Sequence, residues 1–234
     1  MMEKRPLGTA GLEASLVGLG CNNFGMKIDL AASRAVINAA LDAGITFFDT
    51  ADMYGNGQSE EFIGQELGPR RKEIVLATKF GGVAMMRKSG ERWGMRAYIV
   101  ACLEASLRRL RTEWVDLYQM HYPDPTTPIE ETLAALDELV RQGKVRAVGC
   151  SNFSGAQIAE AEAKAKESHV THFVTAQNEW SLLIDDPAGQ KLNFPTNCAF
   201  GGPGLQDLYI ANVEGDHFSR VHTSFHGHPL YHQR

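Results

Sequence analysis

No stretch of about 18 consecutive apolar residues, the least that crosses a bilayer as a helix, occurs in this 234-residue chain. The opening Met1-Met2-Glu3-Lys4-Arg5-Pro6 lacks the apolar core and small-residue cleavage site of a secretory leader, which makes the cytosol the expected address. Cysteine is scarce: Cys21, Cys102, Cys150 and Cys198 form no C-x-x-C pair, so neither a disulfide framework nor a zinc site is expected. Runs of like charge are missing too. With a formal net charge of −5 and an isoelectric point near 5.9, the chain offers no electrostatic footprint for nucleic acid or an anionic membrane, and a neutral small molecule is the expected partner. The dinucleotide-binding pattern G-x-G-x-x-G should join a first strand to its helix, yet that junction reads Gly18-Leu19-Gly20-Cys21-Asn22-Asn23.

What is present is an alternation. Short apolar runs rich in β-branched and aromatic residues, at 16–20, 45–48, 74–78, 115–120, 145–149 and 173–176, are separated by longer segments of helical period. Asp29 is placed to cap the first helix, whose Val36, Ile37, Ala40 and Leu41 share a face before Gly44 stops it. Thr127-Pro128-Ile129-Glu130 reads as a capping box with proline at the first helical position, and Ser154-Gly155-Ala156-Gln157 as a second box. Nearly continuous apolar strands between helices predict an α/β fold with a parallel sheet, either open and doubly wound or closed as a (β/α)8 barrel of the TIM type. The strand ends favour the barrel. Asp49, Lys79, His121, Ser151 with Asn152, and Gln177 each stand where an apolar run stops, and a barrel gathers such ends at one mouth. Residues 5–15, with turn signals at Gly8 and Gly11, are expected to form a small hairpin ahead of the first barrel strand.

Reduction of a carbonyl needs a hydride donor against the carbon and an acid for the oxygen as charge develops on it. Tyr54, five residues after Asp49 in the loop leaving the same strand, is the candidate acid. Its ordinary pKa of about 10 must fall, and the Lys79 ammonium would favour phenolate while Asp49 keeps the lysine in place and protonated. His121 would hydrogen-bond the substrate oxygen. Each residue also has a plainer reading: Asp49 as a turn cap, Lys79 as its structural ion-pair partner, Tyr54 as a half-buried aromatic, His121 as a core histidine. Tyr118 and Trp114 read as barrel packing.

The segments Asp49-Thr50-Ala51-Asp52-Met53-Tyr54-Gly55, Ala77-Thr78-Lys79 and Leu117-Tyr118-Gln119-Met120-His121 resemble the tetrad motifs of the aldo-keto reductase superfamily. The resemblance runs from about residue 5 to residue 183. It implies a carbonyl reductase that uses NADP(H), with Asp49, Tyr54, Lys79 and His121 catalytic. Gly149-Cys150-Ser151-Asn152-Phe153 and Gln177-Asn178-Glu179 resemble the segments that hold the nicotinamide carboxamide in that family, which implies cofactor contacts from Ser151, Asn152 and Gln177.

Six strand–helix units are visible by Leu183 where such a barrel has eight, each needing about 30 residues or more. The expected organisation is therefore an incomplete reductase barrel over 1–183 and a β-rich tail over 184–234. The tail has strand-like runs, Leu208-Tyr209-Ile210-Ala211 and Phe218-Ser219-Arg220-Val221, with antiparallel grammar. It resembles the end of a gluconolactonase or regucalcin-like β-propeller protein in Pro195-Thr196-Asn197-Cys198-Ala199-Phe200-Gly201-Gly202-Pro203, in Leu208-Tyr209-Ile210-Ala211-Asn212 and in Pro229-Leu230-Tyr231-His232-Gln233-Arg234. A junction of two unrelated genes near 184–191 is the expected origin. His217, His222, His226, His228 and His232 crowd the tail, but no cysteine or carboxylate set completes a ligand pattern, so no metal is expected.

The leading reading is an oxidoreductase that passes hydride from NADPH to an aldehyde or ketone, impaired to the extent that the family's adenosine-phosphate contacts, which follow strand six, are missing. A second reading is a catalytically inactive remnant or interaction module; under either, strands one and six would be open barrel edges that invite self-association. A third makes Lys79 a Schiff-base lysine, which the Tyr54 and His121 partners disfavour.

Overall fold

The structure, a computed structural model, describes residues 2–82, 92–178, 195–201, 207–212 and 218–222. The chain divides into two compact units, Met1–Asn178 and Glu179–Arg234.

The first unit opens with an antiparallel hairpin, β1 (Lys4–Pro6) with β2 (Glu13–Ser15), turned through Gly8 and Gly11 at positive φ. Six strands follow: β3 (Gly18–Gly20), β4 (Phe47–Asp49), β5 (Val75–Phe80), β6 (Val115–Met120), β7 (Val145–Ser151) and β8 (Phe173–Gln177). They pair in parallel in chain order. Between them run α1 (Leu30–Asp42), α2 (Gln58–Leu67), α3 (Arg96–Leu110), α4 (Ile129–Arg141) and α5 (Gly155–Ser168). Residues 179–194, which follow β8, lie outside the described residues.

One hydrogen bond reveals the curvature of the sheet. Three strands separate β4 from β8, so a flat sheet would hold them about 19 Å apart. Gln177 Nε2 instead lies 2.9 Å from Asp49 Oδ2. The sheet rolls as a barrel wall does, and an open doubly wound sheet is excluded. Inside the roll, Ala77, Leu117 and Ala147 form an apolar layer with Leu12 of the hairpin, and Phe47 packs on it. The next layer toward the strand C-termini is polar. Outward side chains such as Leu76, Tyr118, Met120 and Val148 meet Ile37, Ile63, Ile99, Leu103 and Leu136 of the helices in the main core.

Local chemistry explains the helix ends. Asp29 Oδ1 accepts from Ala32 N at 2.9 Å and caps α1, and Ser154 with Gln157 forms the reciprocal capping box of α5. The buried positions of α1 are Ser33, Ile37 and Ala40, while Val36 is exposed, so its inward face is turned slightly from the one expected. Thr127 is not a cap. The helix begins at Ile129 with Pro128 in the cap position and no side-chain cap bond, while the Thr127 hydroxyl donates to Asp124 Oδ2 at 2.7 Å, joining Gly94 N and the Thr126 N–H and hydroxyl on that carboxylate. Cys21, Cys102 and Cys150 are free thiols.

The second unit contains an antiparallel sheet of β9 (Pro195–Gly201), β10 (Asp207–Asn212) and β11 (Phe218–His222), with β10 central. The junction at 184–191 and His217, His226, His228 and His232 lie outside the described residues.

α2 and α3 pack closely at Gly64, where a Cβ would collide with the Arg109 carbonyl oxygen and come within 2.6 Å of the Leu110 carbonyl carbon. Backbone cannot yield as a flexible side chain can. Gly64→Ala is expected to destabilise the fold by about 1–3 kcal/mol through overpacking, read as a lower urea midpoint at unchanged slope. A midpoint equal to the parent's would contradict this contact.

Candidate active site

The polar layer at the strand C-termini is built around a buried ammonium. Lys79, on β5, is 1% exposed, and its Nζ donates to Asp49 Oδ1 at 2.6 Å and to the Thr50 carbonyl at 3.2 Å. The second oxygen of Asp49 accepts from Gln177. The loop after β4 is tied back to the same place: Asp52 N donates to the Lys79 carbonyl, and Thr50 and Ser59 hydroxyls link to the Cys21 carbonyl. That loop then enters a 3-10 turn, Tyr54–Gly57. Gly55 has φ +58, and a Cβ there would stand 2.7 Å from the Phe24 carbonyl oxygen, so only glycine lets the turn pass. The turn sets the Tyr54 ring with its centroid 5.3 Å from Lys79 Nζ and 5.9 Å, edge to face, from the ring of His121.

Asp49, Tyr54, Lys79 and His121 thus share one site. Ser151, Asn152 and Gln177 stand beside it. Ser151 Oγ donates to the Gln177 carbonyl at 2.7 Å, and Asn152, at φ +60, donates its amide to the His121 carbonyl at 2.8 Å and to Ser151 Oγ at 3.1 Å. β7 and β8 are thereby locked to the strand that ends in His121.

The electrostatics correct one expectation. Tyr54 is not drawn toward phenolate: burial pushes its pKa up, and Asp49 adds to the rise. The Lys79 charge does not counter this, because the carboxylate 2.6 Å away answers it. His121 moves the other way. Burial first, and Lys79 second, push its pKa down to about 3, so the ring is neutral, and its Nδ1 is buried without a partner among the described residues. The site therefore holds a phenol that keeps its proton beside an imidazole that has none to spare beyond one.

Several site residues escaped the sequence reading. Gln119, 2% exposed, bonds both Gln177 and Thr175. A polar residue at an inward position of the apolar run 115–120 was its signal. Glu60 is fully buried between Thr78 Oγ1 at 2.5 Å and Arg109 Nε at 2.7 Å, anchoring α2 to β5 and α3. Asp52, 3% exposed, is pushed up to about 7, mostly by burial and then by Glu60. The apolar groove of about 540 Å³ that Asp52 shares with Ala97, Ala101 and Ala105 of α3 is lined by none of the seven mouth residues.

Comparison with known proteins matches the Aldo/keto reductase family over residues 16–194. The chain is 45% identical over 161 residues to "Aldo-keto reductase YhdN" of Bacillus subtilis (strain 168), covering 65% of this chain and 48% of that protein. It is 40% identical over 192 residues to "Uncharacterized oxidoreductase YrpG" of the same strain, covering 78% and 59%. Among solved structures, the thermostable aldo-keto reductase Tm1743 with the inhibitor epalrestat superposes with a TM-score of 0.67 at 32% identity, covering 80% of this chain and 65% of that one. The chain spans about half to three-fifths of the length of these curated relatives. The family match takes in every strand of the rolled sheet together with all seven mouth residues, and the chain belongs to the aldo/keto reductase family.

Proposed function

We propose that this chain carries the catalytic half of an oxidoreductase that reduces an aldehyde or ketone with NADPH. The observation that carries the reading is the buried Lys79 ammonium, charge-balanced by Asp49 and flanked by Tyr54 and His121. In this reading Tyr54 is the acid that gives its proton to the carbonyl oxygen. A phenol whose pKa is raised in the free protein holds that proton through the working pH range, and it releases it only as negative charge builds on the oxygen. Lys79 supplies the positive potential that makes the release favourable, and Asp49 keeps the ammonium in place. His121, neutral, orients the substrate oxygen. With Nδ1 unpartnered, the tautomer protonated on Nε2 leaves only an acceptor unsatisfied and makes Nε2–H the donor.

Ser151, Asn152 and Gln177 fit the carboxamide of a nicotinamide. Asn152 uses its amide nitrogen within the protein and has Oδ1 to offer, and Gln177 Oε1 accepts one bond and has a second lone pair. NADPH would supply the hydride. All three residues address its nicotinamide end. We extend the proposal to self-association through β3 and β8, which carry no further strand among the described residues. For the tail, sequence motifs alone suggest a gluconolactonase-like origin.

Tyr54→Phe removes the proposed acid and keeps the ring. Turnover of a model aldehyde should fall by about 10²–10⁴, with NADPH affinity held, in steady-state kinetics and fluorescence titration. Parental rates in this variant would end the assignment.

Lys79→Met leaves the half-buried Asp49 without its counter-ion. It should abolish turnover and cost about 3 kcal/mol of stability, since breaking a buried pair strands a charge. Adding Asp49→Asn should restore the urea midpoint and leave turnover absent. Turnover regained together with stability would show that the pair is structural only.

His121 should contribute no inflection to the pH–rate profile at about 6.5, the ordinary histidine value, because the folded protein holds it neutral down to about 3. An inflection there that disappears in His121→Gln would contradict a neutral His121.

A further inference from the structure

Gln119 sits on β6 between Lys79 and Gly149 in the sheet register, and Gly149 pairs in turn with Thr175 on β8. β7 therefore lies between Gln119 and Thr175. Their side chains meet across it because residue 149 has no side chain. A Cβ at Gly149 would collide with Thr175 Oγ1 and come within 3.3 Å of Gln119 Cγ. Over that gap Thr175 Oγ1 donates to Gln119 Oε1 at 3.4 Å, Gln119 Nε2 donates to Gln177 Oε1 at 3.2 Å, and Gln177 Nε2 donates to Asp49 Oδ2 at 2.9 Å.

The direction of this chain is dictated by chemistry. An ionised carboxylate accepts only, so Gln177 must turn its NH2 toward Asp49 and its Oε1 toward Gln119. Gln119 must then present its own NH2, which leaves its oxygen for the Thr175 hydroxyl. Reversing either amide sets two acceptors or two donors face to face. The chain runs from the buried Gln119 outward to Gln177, which stands exposed at the mouth.

We propose that Gln119, braced by Thr175 across Gly149, is a positioning residue that fixes the Gln177 amide so that its remaining Oε1 lone pair faces a hydrogen-bond donor at the mouth, the carboxamide NH2 of the nicotinamide. The proposal rests on the cofactor reading above, and it gives Gln119 no contact with cofactor or substrate. Without the brace, Gln177 can rotate about its side-chain bonds and offer the wrong face.

The test uses Gln119→Met and Gln119→Glu in the full chain, followed by the side-chain amide resonances of Gln177 in the cofactor-free protein and by fluorescence titration with NADPH. Gln119→Met, which cannot donate, should shift and broaden the Gln177 amide signals and raise the Kd for NADPH about tenfold, the worth of one ordinary hydrogen bond. Gln119→Glu keeps the shape. Its carboxyl can donate to Gln177 only when protonated, so the Gln177 signals and the Kd should return toward parental values as pH falls and depart as it rises. A role in packing alone would lower stability in Gln119→Met and show no such titration in Gln119→Glu. Unchanged Gln177 signals in Gln119→Met, or pH-independent ones in Gln119→Glu, overturn the proposal. If the parent fails to bind NADPH, the cofactor reading fails, and the amide signals of the free protein still decide whether Gln119 holds Gln177. Should Gln119→Met not fold, Gln119→Glu decides alone.

Discussion

A lysine ammonium buried to 1% exposure is the constraint on which the mouth of this sheet depends. Removing such a charge from water costs several kcal/mol, repaid only when a counter-ion and further acceptors meet it at good geometry. Asp49 supplies the counter-ion and Thr50 a carbonyl, so the end of β4 must lie beside β5 and its loop must fold back over Lys79. The carboxylate then has an oxygen of its own to satisfy. Gln177 reaches it from the last strand of the sheet, a bond that exists only because the sheet is rolled. The electrostatic demand of one side chain and the curvature of the wall support each other.

The same demand explains why Tyr54 is not a phenolate in the free protein. A lysine close enough to a carboxylate to be stable underground is, seen from the phenol, half of a neutral pair. Asp49 raises the Tyr54 pKa together with burial. In sequence Asp49 reads only as the group that holds Lys79 in place, whereas in the fold its own charge also bears on the phenol, against the ammonium.

What could be read in the sequence was what a one-dimensional pattern can carry. Strand C-termini were visible as polar residues ending apolar runs, and Asp29 and Ser154 were visible as caps, because each depends on neighbours within a few residues. Thr127 failed as a cap because the helix starts at Ile129 with Pro128 in the cap position, leaving Thr127 to the Asp124 carboxylate, which also holds Gly94, about thirty residues away. Gln119 was hidden for a different reason. Its partners lie 56 and 58 positions along the chain and meet it over a strand whose contribution is the missing side chain of Gly149. Glu60 and Asp52 are likewise charges inside the fold whose surroundings come from helices far apart in sequence.

In the proposed function the mouth divides its work. The proton and the orientation reside on groups of opposite electrostatic tendency: burial favours the neutral form of both, which leaves Tyr54 with its proton and strips the second proton from His121. Neither needs a charged partner to be ready. The Lys79–Asp49 pair, its ammonium buried, touches both sides of the mouth: Asp49 raises the Tyr54 pKa and accepts from Gln177. In the proposed reading, a change in the charge balance of that pair reaches the acid and the cofactor clamp together, whereas a change at Gln119 reaches the clamp alone.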